Sequence, residues 1–188
     1  MFMDTIIKNY LSAFDELNTL IDFRFQETEK LEKKKRTEII LEDFLSFLIL
    51  AYLNGIQDFS AMTKKQAKSY ASEMYDCIYL KIEGLTFEDR VKGHIQNDDL
   101  TALKILAGDE YHRVYETAKF NAAKNTDSEK TWVTMFDDKV RDTHAYLEGM
   151  TIRADARFYT YDGDSALFPG DFSMAENNCG CRCIAVYR

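Results

Sequence analysis

A chain of 188 residues with 24 Lys and Arg against 32 Asp and Glu carries a net charge of −8, which excludes a protein that neutralises nucleic-acid phosphates over a broad surface. Its 46% hydrophobic and 13% aromatic content excludes a disordered chain and suffices for one full-sized domain, or for a helical half plus a small module. The opening Met1-Phe-Met-Asp-Thr-Ile-Ile-Lys mixes charge into its apolar residues and lacks a secretory h-region, so the chain is expected to stay in the cell that makes it.

Ile7, Leu11, Phe14, Leu17, Ile21 and Phe25 recur at three- and four-residue steps and predict an amphipathic helix from Asp4 to about Glu32, capped by Asp4 or Thr5. The basic run from Lys30 to Arg36 reads as a solvated helix face or a turn. Thr37 opens a second helix through the apolar segment Ile39 to Leu53. Glu42 and Asp43 interrupt that segment and leave about half of the ~20 apolar residues that a bilayer span needs. It is expected to be buried on most of its surface, with no membrane partner, and to end at Asn54-Gly55 before a connector over 56–62.

Thr63-Lys-Lys-Gln66 has the capping-box pattern and precedes a third helix with Tyr70, Met74, Cys77, Ile78 and Ile82 on one face, stopping near Gly84. Cys77, at helical spacing, reads as a core residue. Thr86 opens a fourth helix that breaks at Asn97-Asp98-Asp99. A fifth, through Leu103, Leu106, Val114, Ala118 and Ala122, runs to about Lys124, and Gly108 within it signals a kink or a close helix crossing. His94 and His112 belong to these helices as surface or packing residues.

After Lys130 the texture changes. Thr131 to Thr134 is β-like, Asp137 to Leu147 reads as a short helix closed by Gly149, and Ile152 to Tyr161 alternates aromatic and polar residues. Asp162-Gly-Asp164 and Phe168-Pro-Gly-Asp171 are turns, and Cys181 to Val186 is a terminal strand. The fold class is therefore mainly α, with a helical N-terminal two thirds and a small loop-rich α+β C-terminal module. The segments are 1–85, a helical region, 86–129, a helical core, and 130–188, the module that contains Cys and His.

Three of the four cysteines fall within five residues of that module, a pattern that in an intracellular chain suggests metal or reduced thiols. On a straight strand Cys179, Cys181 and Cys183 would stand about 6.6 Å apart per step and about 13 Å end to end, so two neighbours but not all three reach one zinc. Gly180 supplies the bend. The fourth group must come from elsewhere, His144 first and Asp171 second. Structural zinc and packed reduced thiols both fit this reading. A catalytic Cys/His dyad lacks an accompanying oxyanion loop, so no catalytic residue is assigned. The alternatives are a zinc-dependent hydrolase, with Glu148 or Asp142 as general base, and a helical protein-binding adaptor. Asp162-Gly-Asp164 lacks the rest of a calcium loop and reads as turn chemistry.

Glu110-Tyr-His-Arg113, Lys130-Thr-Trp132, Asp137-Asp-Lys-Val-Arg141-Asp-Thr-His144, Leu147-Glu-Gly149, Pro169-Gly-Asp171 and Cys181-Arg-Cys183 follow one another in an order and spacing that resemble the Mu F-like head morphogenesis, or minor head, proteins of tailed bacteriophages. The resemblance covers about residues 86–188. It departs from the family at Gly180, where Asn is usual, and at Glu148, where Asp is usual. It implies a structural component with no settled enzymatic activity, located in the virion or procapsid interior and made in the host bacterial cytoplasm. Expected partners are portal, scaffold or major capsid protein, with transient proximity to genomic DNA, ejection in some members, and homo-oligomerisation. Residues 1–85 would be a docking region. His144, Cys181 and Cys183 would carry over as a structural zinc or thiol cluster, with Cys179 as an additional member and Arg141, Asp142, Gly149, Pro169, Gly170 and Asp171 shaping the module.

Overall fold

The computed structural model describes residues 2–57 and 64–188, and the class is the expected one. Five helices, α1 (Phe2–Glu27), α2 (Lys33–Gln57), α3 (Lys64–Ile78), α4 (Phe87–Gln96) and α5 (Leu100–Ala123), precede a region of short strands. Two compact units form, one from Met1–Leu50 and Met62–Tyr111, the other from Ala51–Ala61 and His112–Arg188. These bounds differ from a division at residues 85 and 129, because α2 and α5 are continuous helices that supply residues to both units.

In the first unit α1 buries Tyr10, Leu17 and Ile21 along one stripe. It starts at Phe2, so Asp4 and Thr5 lie inside it rather than capping it, and it ends at Glu27. The basic run begins in the turn at Lys30 and continues as the first turn of α2, where Lys33, Lys34 and Lys35 form the expected solvated helix face and Arg36 alone is buried. Arg36 is buried, stacks 3.7 Å over the Phe25 ring, and donates to Asp98 Oδ1 at 2.7 Å and to the Phe25 carbonyl at 2.9 Å. Two of its nitrogens are thus paired and the ring covers the guanidinium plane, while Nε has no hydrogen-bond partner among the described residues. Along Lys33–Ile56, α2 is long and apolar enough to cross a membrane. Within this unit, however, it buries a stripe (Ile40, Phe44, Leu48), not most of its surface. Ile49 and Leu50 stay exposed, and Asp43 accepts from Arg24 of α1 at 2.5 Å.

The capping box foreseen at Thr63 to Gln66 lies outside the described residues. Helix α3 stops at Ile78, ahead of Gly84, and Cys77 is buried as expected of a core thiol. Thr86 and Asp89 form a reciprocal capping box that opens α4, whose Phe87, Val91 and Ile95 are buried. Gly108 marks a close crossing: a Cβ there would sit 2.8 Å from the Phe14 ring.

In the second unit α2 continues through Asn54-Gly55 to Gln57, and Gly55 is no helix stop. A Cβ at Gly55 would lie 2.6 Å from the Tyr115 carbonyl oxygen and 2.8 Å from Ala118 Cβ, so the glycine permits close contact with α5. A three-stranded antiparallel sheet has the order β2-β1-β5, with β1 (Glu129–Val133) central between β2 (Thr151–Arg153) and β5 (Ile184–Tyr187). Trp132 pairs with Ala185 and Val133 with Ile184. A second hairpin joins β3 (Phe158–Tyr159) to β4 (Ser165–Ala166) across Asp162-Gly-Asp164. Two single-turn helices, α6 (Asp142–Ala145) and α7 (Ala175–Asn178), complete the module. The helix expected over Asp137 to Leu147 shrinks to α6, because Phe136 adopts φ 56° and the Asp137 carboxylate accepts from the Lys139 amide.

Two buried charges tie this unit together. Glu116 of α5 accepts from the Ala185 amide of β5 at 3.0 Å with one carboxylate oxygen and from Lys119 at 2.9 Å with the other. Lys130 of β1 is fully buried, and its ammonium donates to the carbonyls of Ala154, Ala156 and Leu167 at 2.7, 2.6 and 2.5 Å. Burial pushes Lys130 down to about 8, while Asp155 and Asp171 pull it back up.

Lys130→Met, which keeps the stem and removes the donors, is expected to cost about 3 kcal/mol or more in denaturant unfolding, since three carbonyls lose their partner. Gly55→Ala gains about 1 kcal/mol of helix propensity, yet it is expected to lower the melting temperature because the new methyl meets a backbone oxygen that cannot rotate away.

Candidate metal centre

The C-terminal module folds around Trp132, Leu147, Phe158, Ala166 and Phe172, and Cys181 and Cys183 are members of that same core cluster. Neither cysteine lies in β5, which begins at Ile184, one residue beyond the predicted Cys181 to Val186 strand's last cysteine. They occupy the irregular segment after α7, where Gly180 at φ 66° turns the chain. That bend turns exposed Cys179 away from the buried pair, and the irregular segment from 181 to 183 carries both remaining thiols.

They converge on His144. Its Nδ1 lies 3.6 Å from Cys181 Sγ and 3.5 Å from Cys183 Sγ, and the three ligand atoms all fall within 4.8 Å of one another. All three residues are buried. The imidazole stacks on Phe172 at 5.2 Å and meets Trp132 edge-on at 5.4 Å. Its Nε2 has no hydrogen-bond partner among the described residues, so aromatic packing and the thiols set the ring's orientation.

The donor set fits zinc. Zn–S bonds of ~2.3 Å and Zn–N bonds of ~2.0–2.1 Å at tetrahedral angles put S and N about 3.5 Å apart, which the metal-free side chains already match. Without metal the hydrogen bond with Cys183, and then burial, push the Cys181 thiol up to about 11, against the pull of His112 and His144. A metal bound here would displace the thiol protons.

The remaining sequence candidates separate. Cys179 is exposed and outside the converging group; its carbonyl accepts from Arg141, so its backbone positions the loop that carries the other two. Asp171 accepts from the Leu167 amide at 2.9 Å and pairs with Arg157, and burial raises its carboxyl above the ordinary range. Glu148 accepts from the Thr134 amide at 2.6 Å, a bond that braces the start of the loop after β1. Asp142 lies in the first turn of α6.

Asp162-Gly-Asp164 is turn chemistry. Buried Asp164 accepts from the Ser165, Ser173 and Met174 amides, from the Ser173 hydroxyl and from Asn177, at 2.7 to 3.1 Å. Asn177 in turn accepts from Thr143, the neighbour of His144, at 3.2 Å. The carboxylate thus fixes α7 and, through it, α6. His112 is the residue that sequence reasoning missed. It is buried, as the packing reading has it, and hydrogen-bonds to Cys181, a placement that no sequence signal marked.

A family model described as Phage Mu protein F like protein matches residues 74–186, and the chain belongs to that family. The match begins within α3, upstream of residue 86. The minor head protein GP7 of Bacillus phage SPP1 is 32% identical over 92 residues, which is 47% of this chain and 30% of GP7. The chain therefore corresponds to less than a third of that relative's length. No solved structure matches.

Burial alone would raise the Asp164 carboxyl, but the hydrogen bonds from Ser173, Asn177, Met174 and Ser165 hold it far below the usual carboxylate range. A depressed folded value stabilises the fold above the unfolded value of about 3.9, and that contribution is lost as pH falls through the folded one. Acid titration followed by Trp132 fluorescence is expected to show the module loosening below pH ~4. Asp164→Asn should be less stable at pH 7 and should show a weaker acid transition.

Proposed function

We propose that this protein is a structural minor head component of a tailed bacteriophage or prophage. It acts in capsid assembly at the portal vertex or the capsid interior, and its C-terminal module is held by a structural zinc on Cys181, Cys183 and His144. Membership of the Mu F-like family over 74–186 carries this reading, and the minor head protein GP7 of Bacillus phage SPP1 supports it. Made in the bacterial cytoplasm, the protein enters the procapsid and contacts portal, scaffold or major capsid protein through its helices. Exposed Phe23, Leu50, Tyr75 and Ile105 on the helices, with Tyr79 and Leu80 just beyond α3, give apolar surface for such contacts or for self-association. A net charge of −8 suits a protein that stays near packaged DNA without binding it tightly and that can leave with it.

The metal would supply a cross-link and no reaction step. Of the two general bases a hydrolytic reading offers, Glu148 is engaged by the Thr134 amide and Asp142 lies in the first turn of α6, outside the converging group. Particles and procapsids purified from the producing strain are expected to contain this chain in fewer copies than the major capsid protein, by quantitative mass spectrometry. Its absence from both would overturn the assignment.

A further inference from the structure

We propose that His112 is the fourth ligand of the zinc site, closing a Cys2His2 centre with Cys181, Cys183 and His144 and leaving Cys179 outside. The inference rests on the structural-zinc reading above and concerns which residue completes it.

Zinc in structural sites takes four N or S ligands, and the converging group supplies three. His112 is 2% exposed and hydrogen-bonds to Cys181. Its placement follows from the helix–strand docking. Glu116 accepts from the Ala185 amide, and His112 precedes Glu116 by four residues, about 6 Å along the helix. Two residues of extended chain, about 6.6 Å, separate Ala185 from Cys183. When Glu116 stands at Ala185, His112 therefore arrives beside the cysteine pair.

The opposite side of the ring is shaped for it. A Cβ on Gly170 would lie 3.2 Å from His112 Cδ2 and 3.4 Å from Nε2, so the Pro-Gly-Asp turn leaves room for an imidazole where a side chain would press on it. The ligand atoms of His144, Cys181 and Cys183 already lie within 4.8 Å of one another, and His112, outside that group but hydrogen-bonded to Cys181, is the proposed residue that metal would draw in.

Charge favours His112 over Cys179. Zinc with two thiolates and two neutral imidazoles carries no net charge, as suits a site walled by Trp132 and Phe172. A third thiolate would leave a buried negative charge. On binding, the Cys181 and Cys183 thiols each release one proton to solvent, and no redox change occurs. The centre then fastens the C-terminal segment to α5, as well as to α6.

The full chain is loaded with Zn2+ or Co2+, and metal content, affinity by chelator competition and the visible Co2+ spectrum are measured. Wild type and Cys179→Ser are expected to bind one zinc per chain with the same affinity and the same intense tetrahedral Co2+ bands. His112→Ala should lose about tenfold or more in affinity, with weaker bands as water fills the open position. His112→Cys, checked for folding by circular dichroism, should restore the intensity and add sulfur-to-cobalt charge transfer. Unchanged affinity and spectrum in His112→Ala, weakened binding in Cys179→Ser, or no added charge transfer in folded His112→Cys would overturn the assignment of His112. Absence of metal from wild type would instead overturn the zinc reading beneath it.

Discussion

The C-terminal unit depends on the buried carboxylate of Glu116. One oxygen holds the Ala185 amide and the other the Lys119 ammonium, so α5 and β5 are locked in a single register. Removing either partner from such a pair leaves an uncompensated buried charge, a far larger effect than the pair's own net contribution. Its value lies in geometry. Because β5 pairs with β1, which also pairs with β2, fixing Ala185 on the helix fixes the whole sheet, and with it Trp132 and the segment that carries Cys181 and Cys183.

Around that register the module solves a problem of size. Its apolar cluster is small and recruits two cysteines as core residues, while much of its remaining interior is polar and organised by two hubs. Lys130 gathers carbonyls from Ala154, Ala156 and Leu167, and Asp164 gathers donors from both sides of α7's start. Each hub joins backbone segments that share no ladder. A metal on His144 and the cysteines would add a third cross-link of the same kind, in a module too small to rely on hydrophobic burial alone.

The sequence made the helices and the cluster legible to different degrees. Leu17 and Ile21 of the α1 stripe and the Thr86 cap of α4 followed from periodicity and capping chemistry, whereas Tyr10 is buried in place of exposed Leu11 and the cysteines meet His144 from an irregular segment and not from a strand. Gly55 misled because glycine serves both as a helix stop and as a site of close approach, and only the facing Tyr115 carbonyl distinguishes them. In the Lys33 to Arg36 run the three lysines are solvated as their charge density suggests, and only Arg36 departs, because it donates to Asp98, distant along the chain, and to the Phe25 backbone carbonyl. His112 was illegible because α5 buries polar residues such as Glu110, Glu116 and Lys119 as well as apolar ones, which erases the amphipathic contrast that marks an inward face. Cys179 looked equivalent to its neighbours until the bend at Gly180 set it apart.

The chain belongs to the Mu F-like family, and His144, Cys181 and Cys183 form a buried cluster in its C-terminal module. X-ray absorption at the zinc edge of the purified full chain tests the fastener most directly. The account predicts a first shell of two sulfurs at ~2.3 Å and two nitrogens at ~2.0–2.1 Å, with no bound water. A shell of three sulfurs and one nitrogen, or one containing an exchangeable water oxygen, would contradict it.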